Sequence, residues 1–159
     1  MVRKLTKEDV NIIYDLEKGN PLYFDKLNEK VTHKAIVESL EITPPNKSIE
    51  DKYFIGFFND KNFLVAICDI IVDYPIRNTI WIGLFMVNKD FQKQHIGSKI
   101  ITEMLLYLEE CGFIKVELGY VKDNLQSEKF WLKNGFAKTE REKQHKNYTL
   151  TIAEKILNK

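Results

Sequence analysis

Apolar residues change their spacing near Tyr53, and that change organises the reading of the chain. Before it they recur at helical intervals. Thr6-Lys7-Glu8-Asp9 has the form of a capping box, and Val10, Ile13, Tyr14 and Leu16 follow at helical spacing until Gly19-Asn20-Pro21 interrupts them. The spacing predicts a first helix of about two to three turns. A second helix is predicted from Thr32, whose hydroxyl suits an N-cap, with Ala35, Ile36, Val37 and Leu40 presented before Thr43-Pro44-Pro45-Asn46 stops it. Leu22-Tyr23-Phe24 reads as an aromatic turn between the two helices.

From Tyr53 the runs become short, β-branched and aromatic. Residues 53–58, the polar tetrad Asn59-Asp60-Lys61-Asn62 and residues 63–72 predict a hairpin; after the break at residues 74–78, residues 79–87 predict a third strand. These runs are too continuously apolar for a sheet with one wet face, so helices are expected on both sides. Ile100, Ile101, Met104, Leu105 and Leu108 then mark an amphipathic helix over residues 98–110, with Gly112 as its left-handed cap. A strand over 114–121, a polar break at Lys122-Asp123-Asn124 and a helix carrying Phe130, Trp131 and Leu132 come next. Two last strands are predicted at 136–139 and 148–153, joined by the polar residues 140–147. The alternation in the second half predicts an α/β (or α+β) layered fold, and the absence of repeats, linkers and low-complexity segments predicts a single domain over residues 1–159.

Composition narrows the classes of function. With 24 Lys plus Arg against 23 Asp plus Glu, the net charge of +1 provides no global field toward nucleic acid or an anionic membrane. A nucleic-acid module using Lys93, Lys99, Lys143 and Lys146 is the weaker alternative, and the near-neutral balance counts against it. No apolar run approaches the roughly eighteen residues of a membrane span, and residues 1–6 lead into a charged segment rather than a signal-like apolar region, so a cytoplasmic protein is expected. Cys68 and Cys111 have neither metal-like spacing nor a disulfide framework; they read as free thiols, Cys68 buried. No metal site is expected.

The stretch DFQKQHIGSKI carries the candidate chemistry, because it lies between the predicted strand at 79–87 and the following helix. A helix start offers unpaired N–H groups and the positive end of its dipole, Gly97 allows close backbone approach, and Lys93 and Lys99 add charge. The competing reading is a glycine that merely relieves crowding at a helix start. The stretch lacks the glycines of a Walker loop or a dinucleotide fingerprint.

Together with Ile80 to Val87, the run Gln92-Lys93-Gln94-His95-Ile96-Gly97-Ser98 resembles the acetyl-CoA-binding motif of the GCN5-related N-acetyltransferase superfamily, Gln/Arg-x-x-Gly-x-Gly/Ala. A second resemblance lies in Asn124 to Phe136, similar to the family's Asn, small residue, Phe-Tyr and Gly-Phe. The order of elements agrees over nearly the whole chain. The resemblance implies a mixed, largely antiparallel sheet splayed between two parallel strands, with helices on both faces. It implies that backbone groups of Phe85, Met86 and Val87 bind the pantetheine arm of acetyl-CoA, that Gln92, Lys93, Gln94, His95, Ile96, Gly97 and Ser98 cradle its pyrophosphate, and that Asn124 contacts the arm near the sulfur.

The implied reaction is direct attack of an amine, from a small molecule or a peptide, on the acetyl carbonyl within a ternary complex. It requires alignment, a deprotonated amine and donors aimed at the developing oxyanion, which backbone groups near Met86 suit. Glu117 is the candidate base, Asp69 and Asp73 its competitors; as an outward strand residue or a partner of Lys115, Glu117 would instead be structural. Trp131 occupies the place of the family's tyrosine acid, but an indole N–H only donates, so Tyr120 is the candidate substitute. His95 stands where the family has its first glycine, and its backbone must keep φ negative or adopt a left-handed conformation. These two departures motivate the alternative of an inactive CoA-binding member with a regulatory role. A monomer or homodimer fits either reading, and the acceptor stays open among polyamines, amino acids, aminoglycoside-like compounds and peptide termini.

Overall fold

The computed structural model describes residues 1–157. Its strands are β1 (Val2–Lys4), β2 (Lys52–Phe58), β3 (Leu64–Val72), β4 (Thr79–Val87), β5 (Lys115–Val121), β6 (Ala137–Gln144) and β7 (Thr149–Ile156). Its helices are α1 (Val10–Lys18), α2 (Pro21–Leu27), α3 (His33–Glu41), α4 (Ile96–Glu110) and α5 (Leu125–Lys133). The strands form a mixed sheet in the order β1-β2-β3-β4-β5-β7-β6, with helices on both faces, as the sequence predicts. The parallel ladder of β4 and β5 runs from Thr79↔Lys115 to Ile82↔Leu118, at the N-terminal end of each strand. Backbone proximity groups the chain into two compact units, one of Met1–Ile71 with Gly83–Gly97, the other of Val72–Ile82 with the chain from Ser98 onward.

In the first unit the predicted capping box forms at a 3-10 turn, Lys7–Asp9, that leads into α1. Asp9 Oδ2 accepts from the Thr6 amide at 2.8 Å, and Thr6 Oγ1 from the Glu8 amide at 3.3 Å. Thr32 caps α3 by accepting from Ala35 N at 3.0 Å. The aromatic turn expected at residues 22–24 is instead part of α2. Pro21 occupies the first turn of that helix, where its missing N–H costs nothing and its fixed φ is already helical, so a residue read as a stop is a start. Ile13 and Leu16 of α1, Phe24 of α2 and Ile36 and Leu40 of α3 join Phe54, Phe58, Leu64, Ile67 and Met86 in one core. Gly56 is what lets the layers close. A Cβ there would lie 2.8 Å from Leu5 Cδ2 and 2.9 Å from Leu64 Cδ1.

The second unit is built around β5, paired with β4 on one edge and β7 on the other, and Val116, Glu117, Leu118 and Tyr120 are all buried. Helix α4 buries Ile101, Met104, Leu105 and Leu108 and ends at Gly112 with φ of 94°, where Phe113 N donates to Leu108 O at 3.1 Å. The polar stretch expected to link the last strands is largely strand: β6 runs to Gln144. Its lysines, glutamates and arginine are mostly exposed, which suits an edge strand that must not recruit further strands. No helix among the described residues is long and apolar enough to cross a membrane.

One core position of α1 is anomalous. Glu17 is 7% exposed, and its Oε2 has no hydrogen-bond partner. Burial first, and the nearby Glu29 carboxylate second, push its carboxyl up to about 7. Between the ordinary glutamate value and that pKa, the folded state holds a proton that the unfolded state has lost, so stability falls as pH rises through this window. The loss reaches about 3 kcal/mol for a shift of this size. Urea unfolding from pH 4 to 8 should show this decline, and Glu17→Gln should remove it.

Candidate active site

The C-terminal end of β4 is held by side-chain amides. Asn88 Nδ2 donates to Leu64 O at 3.1 Å while its backbone N donates to Val65 O at 2.8 Å. Its Oδ1 accepts from Asp90 N at 3.0 Å, capping a 3-10 turn at Lys89–Phe91. Gln92 Nε2 then donates both to Val87 O at 2.8 Å and to Asn20 Oδ1 at 2.7 Å, and Asn20 Nδ2 reaches Leu16 O at 3.0 Å and Val87 O at 3.2 Å. The Gln92 side chain is therefore turned back into the fold as a brace. Asn20, read from sequence as a helix stop, is its partner.

After Gln92 the backbone alternates in hand. Lys93 has φ of 62° and His95 of 61°, while Gln94 between them does not share the positive φ. Such alternation turns successive N–H groups toward one concavity, a nest suited to an anion. Helix α4 starts at Ile96, two residues earlier than predicted, so its first turn includes Ile96, Gly97 and Ser98. His95 takes the left-handed conformation, and its side chain is exposed. Met86 is buried in the core of the first unit, and Phe85 and Val87 are half-buried.

The candidate catalytic residues of the second unit have committed partners. Glu117 is 1% exposed; Lys115 Nζ lies 2.9 Å from its Oε2 and Arg141 Nη1 2.8 Å from its Oε1. The approach of Arg141 to Oε1 is close as an ion pair but poorly aligned as a hydrogen bond. Arg141 also pairs with Glu154, the β7 neighbour of Glu117, at 3.1 Å. Tyr120 donates its hydroxyl to Glu128 Oε1 at 3.1 Å, and burial followed by that carboxylate pushes its pKa up to about 12. Trp131 is buried edge-on against Phe130 and Phe136, with centroids 5.0 and 5.1 Å away. Asn124 caps α5, its Oδ1 accepting from Ser127 N at 3.3 Å and its Nδ2 donating to Ser127 Oγ at 3.0 Å.

Of the hairpin carboxylates, Asp73 is exposed and shapes the following turn, with Oδ1 accepting from Asn78 N at 2.7 Å. Asp69 differs. Lys52, only 2% exposed, places Nζ 2.8 Å from Asp69 Oδ2, whereas Oδ1 is buried without a partner. Lys52 was not legible as a functional residue; its one signal is a lysine opening an apolar strand. No group of three or more His, Cys, Asp or Glu side chains able to hold a metal occurs among the described residues.

The fold agrees with the comparisons to known proteins. A profile of the Acetyltransferase (GNAT) family matches residues 18–136, and the chain belongs to that family. An acetyltransferase from Thermus thermophilus superposes with a TM-score of 0.77 at 18% identity, covering 99% of this chain and 96% of that one. The ribosomal-protein-S18-alanine N-acetyltransferase of Escherichia coli gives 0.73 at 13% identity, with 100% and 94% covered. The PaiA N-acetyltransferase of Thermoplasma acidophilum, solved in complex with coenzyme A, gives 0.70 at 17%, with 98% of each chain covered. No curated protein sequence matches the chain significantly.

The brace and the strained turn separate in their effects on stability. Asn20→Ala should cost about 1–3 kcal/mol in urea unfolding, because the Gln92 amide and Val87 carbonyl each lose a partner. His95→Gly should instead stabilise by about 0.5–1 kcal/mol, relief of the left-handed penalty outweighing the greater freedom of the unfolded chain.

Proposed function

We propose that the protein transfers the acetyl group of acetyl-CoA to a primary amine of a small molecule or peptide, by direct attack in a ternary complex. The observation that carries this reading is the turn at residues 92–98, where alternating backbone hand runs into a helix start. Its donors are main-chain N–H groups, flanked by Lys93 and Lys99 with no carboxylate among residues 92–99, a set that fits a diphosphate. In this reading Lys93, Gln94, His95, Ile96, Gly97 and Ser98 hold the pyrophosphate, and Gln92 acts by holding the turn rather than by touching the ligand. The backbone of Phe85, Met86 and Val87 holds the pantetheine arm, and Asn124 keeps one amide hydrogen for it. The match over residues 18–136 runs through both compact units, which supports reading the chain as one acetyltransferase domain.

Acetyl-CoA brings an activated carbonyl and a thiolate leaving group, so the chain must supply alignment, N–H donors near Met86 and a route for protons. Glu117 is reassigned as a structural ion pair, with a cation at each oxygen. Tyr120 holds its proton too tightly to be an efficient acid. Burial and the Glu128 carboxylate push its pKa up to about 12, and its hydroxyl is committed to Glu128. Trp131 shapes the wall, and solvent reprotonates the thiolate.

Calorimetry with acetyl-CoA should show binding, and a thiol-release assay over a polyamine, an amino acid, an aminoglycoside and a peptide with a free terminus should identify an acceptor. Gly97→Glu should weaken acetyl-CoA binding by at least about tenfold, with thermal unfolding little changed, because it places a carboxylate against the diphosphate. Absence of binding at millimolar acetyl-CoA would sink the proposal. Binding without thiol release from any amine would favour an inactive CoA-binding member, the reading motivated by Trp131 in the place of a tyrosine.

A further inference from the structure

Among the carboxylates of the sheet, Asp69 has a surrounding that a purely structural role does not account for. It lies in β3 within the apolar run Leu64–Val72, and Lys52 reaches it diagonally across the β2–β3 ladder, in which Phe54 faces Asp69 and Lys52 faces Ile71. The side chain is 15% exposed, and only one oxygen is satisfied. Gly83 of β4 leaves the space the carboxylate fills: a Cβ there would be 3.3 Å from Asp69 Oδ2. Gly83 is the residue after Ile82, the last of the parallel ladder, and stands two residues before Phe85. The carboxylate thus sits against the backbone that leads into the proposed binding edge.

The contrast with Glu117 is chemical. Each Glu117 oxygen has its own cation, whereas Asp69 has one cation and one oxygen with nothing to accept from. A carboxylate with one buried oxygen left without a partner beside a fully buried lysine is costly, and such arrangements concentrate at functional sites. Burial raises the Asp69 carboxyl above its ordinary value, while Lys52 opposes the rise. Lys52 is the charged group acting on it, and the neighbouring Cys68 thiol stays protonated because burial and Asp69 both push it up.

We propose that Asp69, tethered by Lys52 and seated over Gly83, is the proton acceptor for the attacking amine. This rests on the acetyltransferase reading above. The acceptor ammonium gives one proton to the carboxylate: an N–H bond breaks, an O–H bond forms, and the nitrogen keeps the lone pair that attacks. The neutral acid then returns its proton to water. Oδ1 is buried where it stands, so the transfer requires the carboxylate to turn about its last side-chain torsion, which is broad for aspartate. Lys52 is a positioning residue that holds the carboxylate and opposes the rise that burial causes.

The test uses the amine that the wild-type protein acetylates best. Asp69→Asn should lower kcat/KM by about hundredfold or more and abolish the acidic limb of its pH profile, with acetyl-CoA affinity by calorimetry unchanged. Activity should recover partly at high pH, or with a nucleophile already neutral at pH 7. Because Asp69→Asn strands a buried lysine, the double variant Asp69→Asn with Lys52→Met is the companion and should show the same loss in a folded protein. Lys52→Met alone should move the acidic limb upward in pH, which a merely structural lysine would not do. A folded double variant with wild-type kcat/KM and an unchanged pH profile would overturn the assignment. Failure of the wild-type protein to bind acetyl-CoA would instead remove the acetyltransferase reading on which it rests.

Discussion

The carbonyl of Val87 accepts from two side-chain amides, and the geometry of the candidate site follows from that shared acceptor. One donor, Asn20, ends the first helical segment; the other, Gln92, opens the turn. Each amide also bonds to the other, so α1, the end of β4 and the turn share one network. A β-strand that simply ended here would leave its last carbonyl to water and its following backbone free to choose a conformation. With Val87 anchored, the chain has a fixed point from which Lys93 and His95 can be held left-handed. A strained turn persists only where its surroundings over-determine it, and here the surroundings are three amide side chains, Asn20, Asn88 and Gln92.

This explains which parts of the sequence were informative. The strand at 79–87 and the helix after it were legible because burial on both faces and a 3.6-residue period leave few other readings. Helix α2 was not, because proline is compatible with a helix start as well as with a stop, and only the position of α1 decides between them. Most of β6 was missed for the opposite reason: an edge strand tolerates charge on both faces, so its alternation vanishes.

The motif in the loop is legible as residue types but not as side-chain directions. Gln92 matches the family pattern, yet its amide faces inward; the donors on offer are main-chain groups, which carry no residue signature. His95 stands out in the sequence as a departure from glycine, and the structure gives its resolution: the backbone conformation that glycine would favour is kept, and the imidazole is turned outward. What sequence conveyed was the requirement for a left-handed residue at that position, rather than the identity of the side chain.

Choosing a base among carboxylates depends on cross-strand register, which composition does not encode. Glu17, Glu117 and Asp69 all lie in mostly apolar settings, and each has a different fate. Glu17 has no cation, so burial makes it a weak acid that costs stability when ionised. Glu117 has two, because β6 brings Arg141 to the oxygen that Lys115 leaves. Asp69 has one. A carboxylate with no counter-charge holds its proton up to about pH 7, and one with two has a cation at each oxygen. Between these limits a single cation holds one oxygen and leaves the other without a partner, and that asymmetry, rather than the residue type, is the ground on which Asp69 is proposed as the proton acceptor.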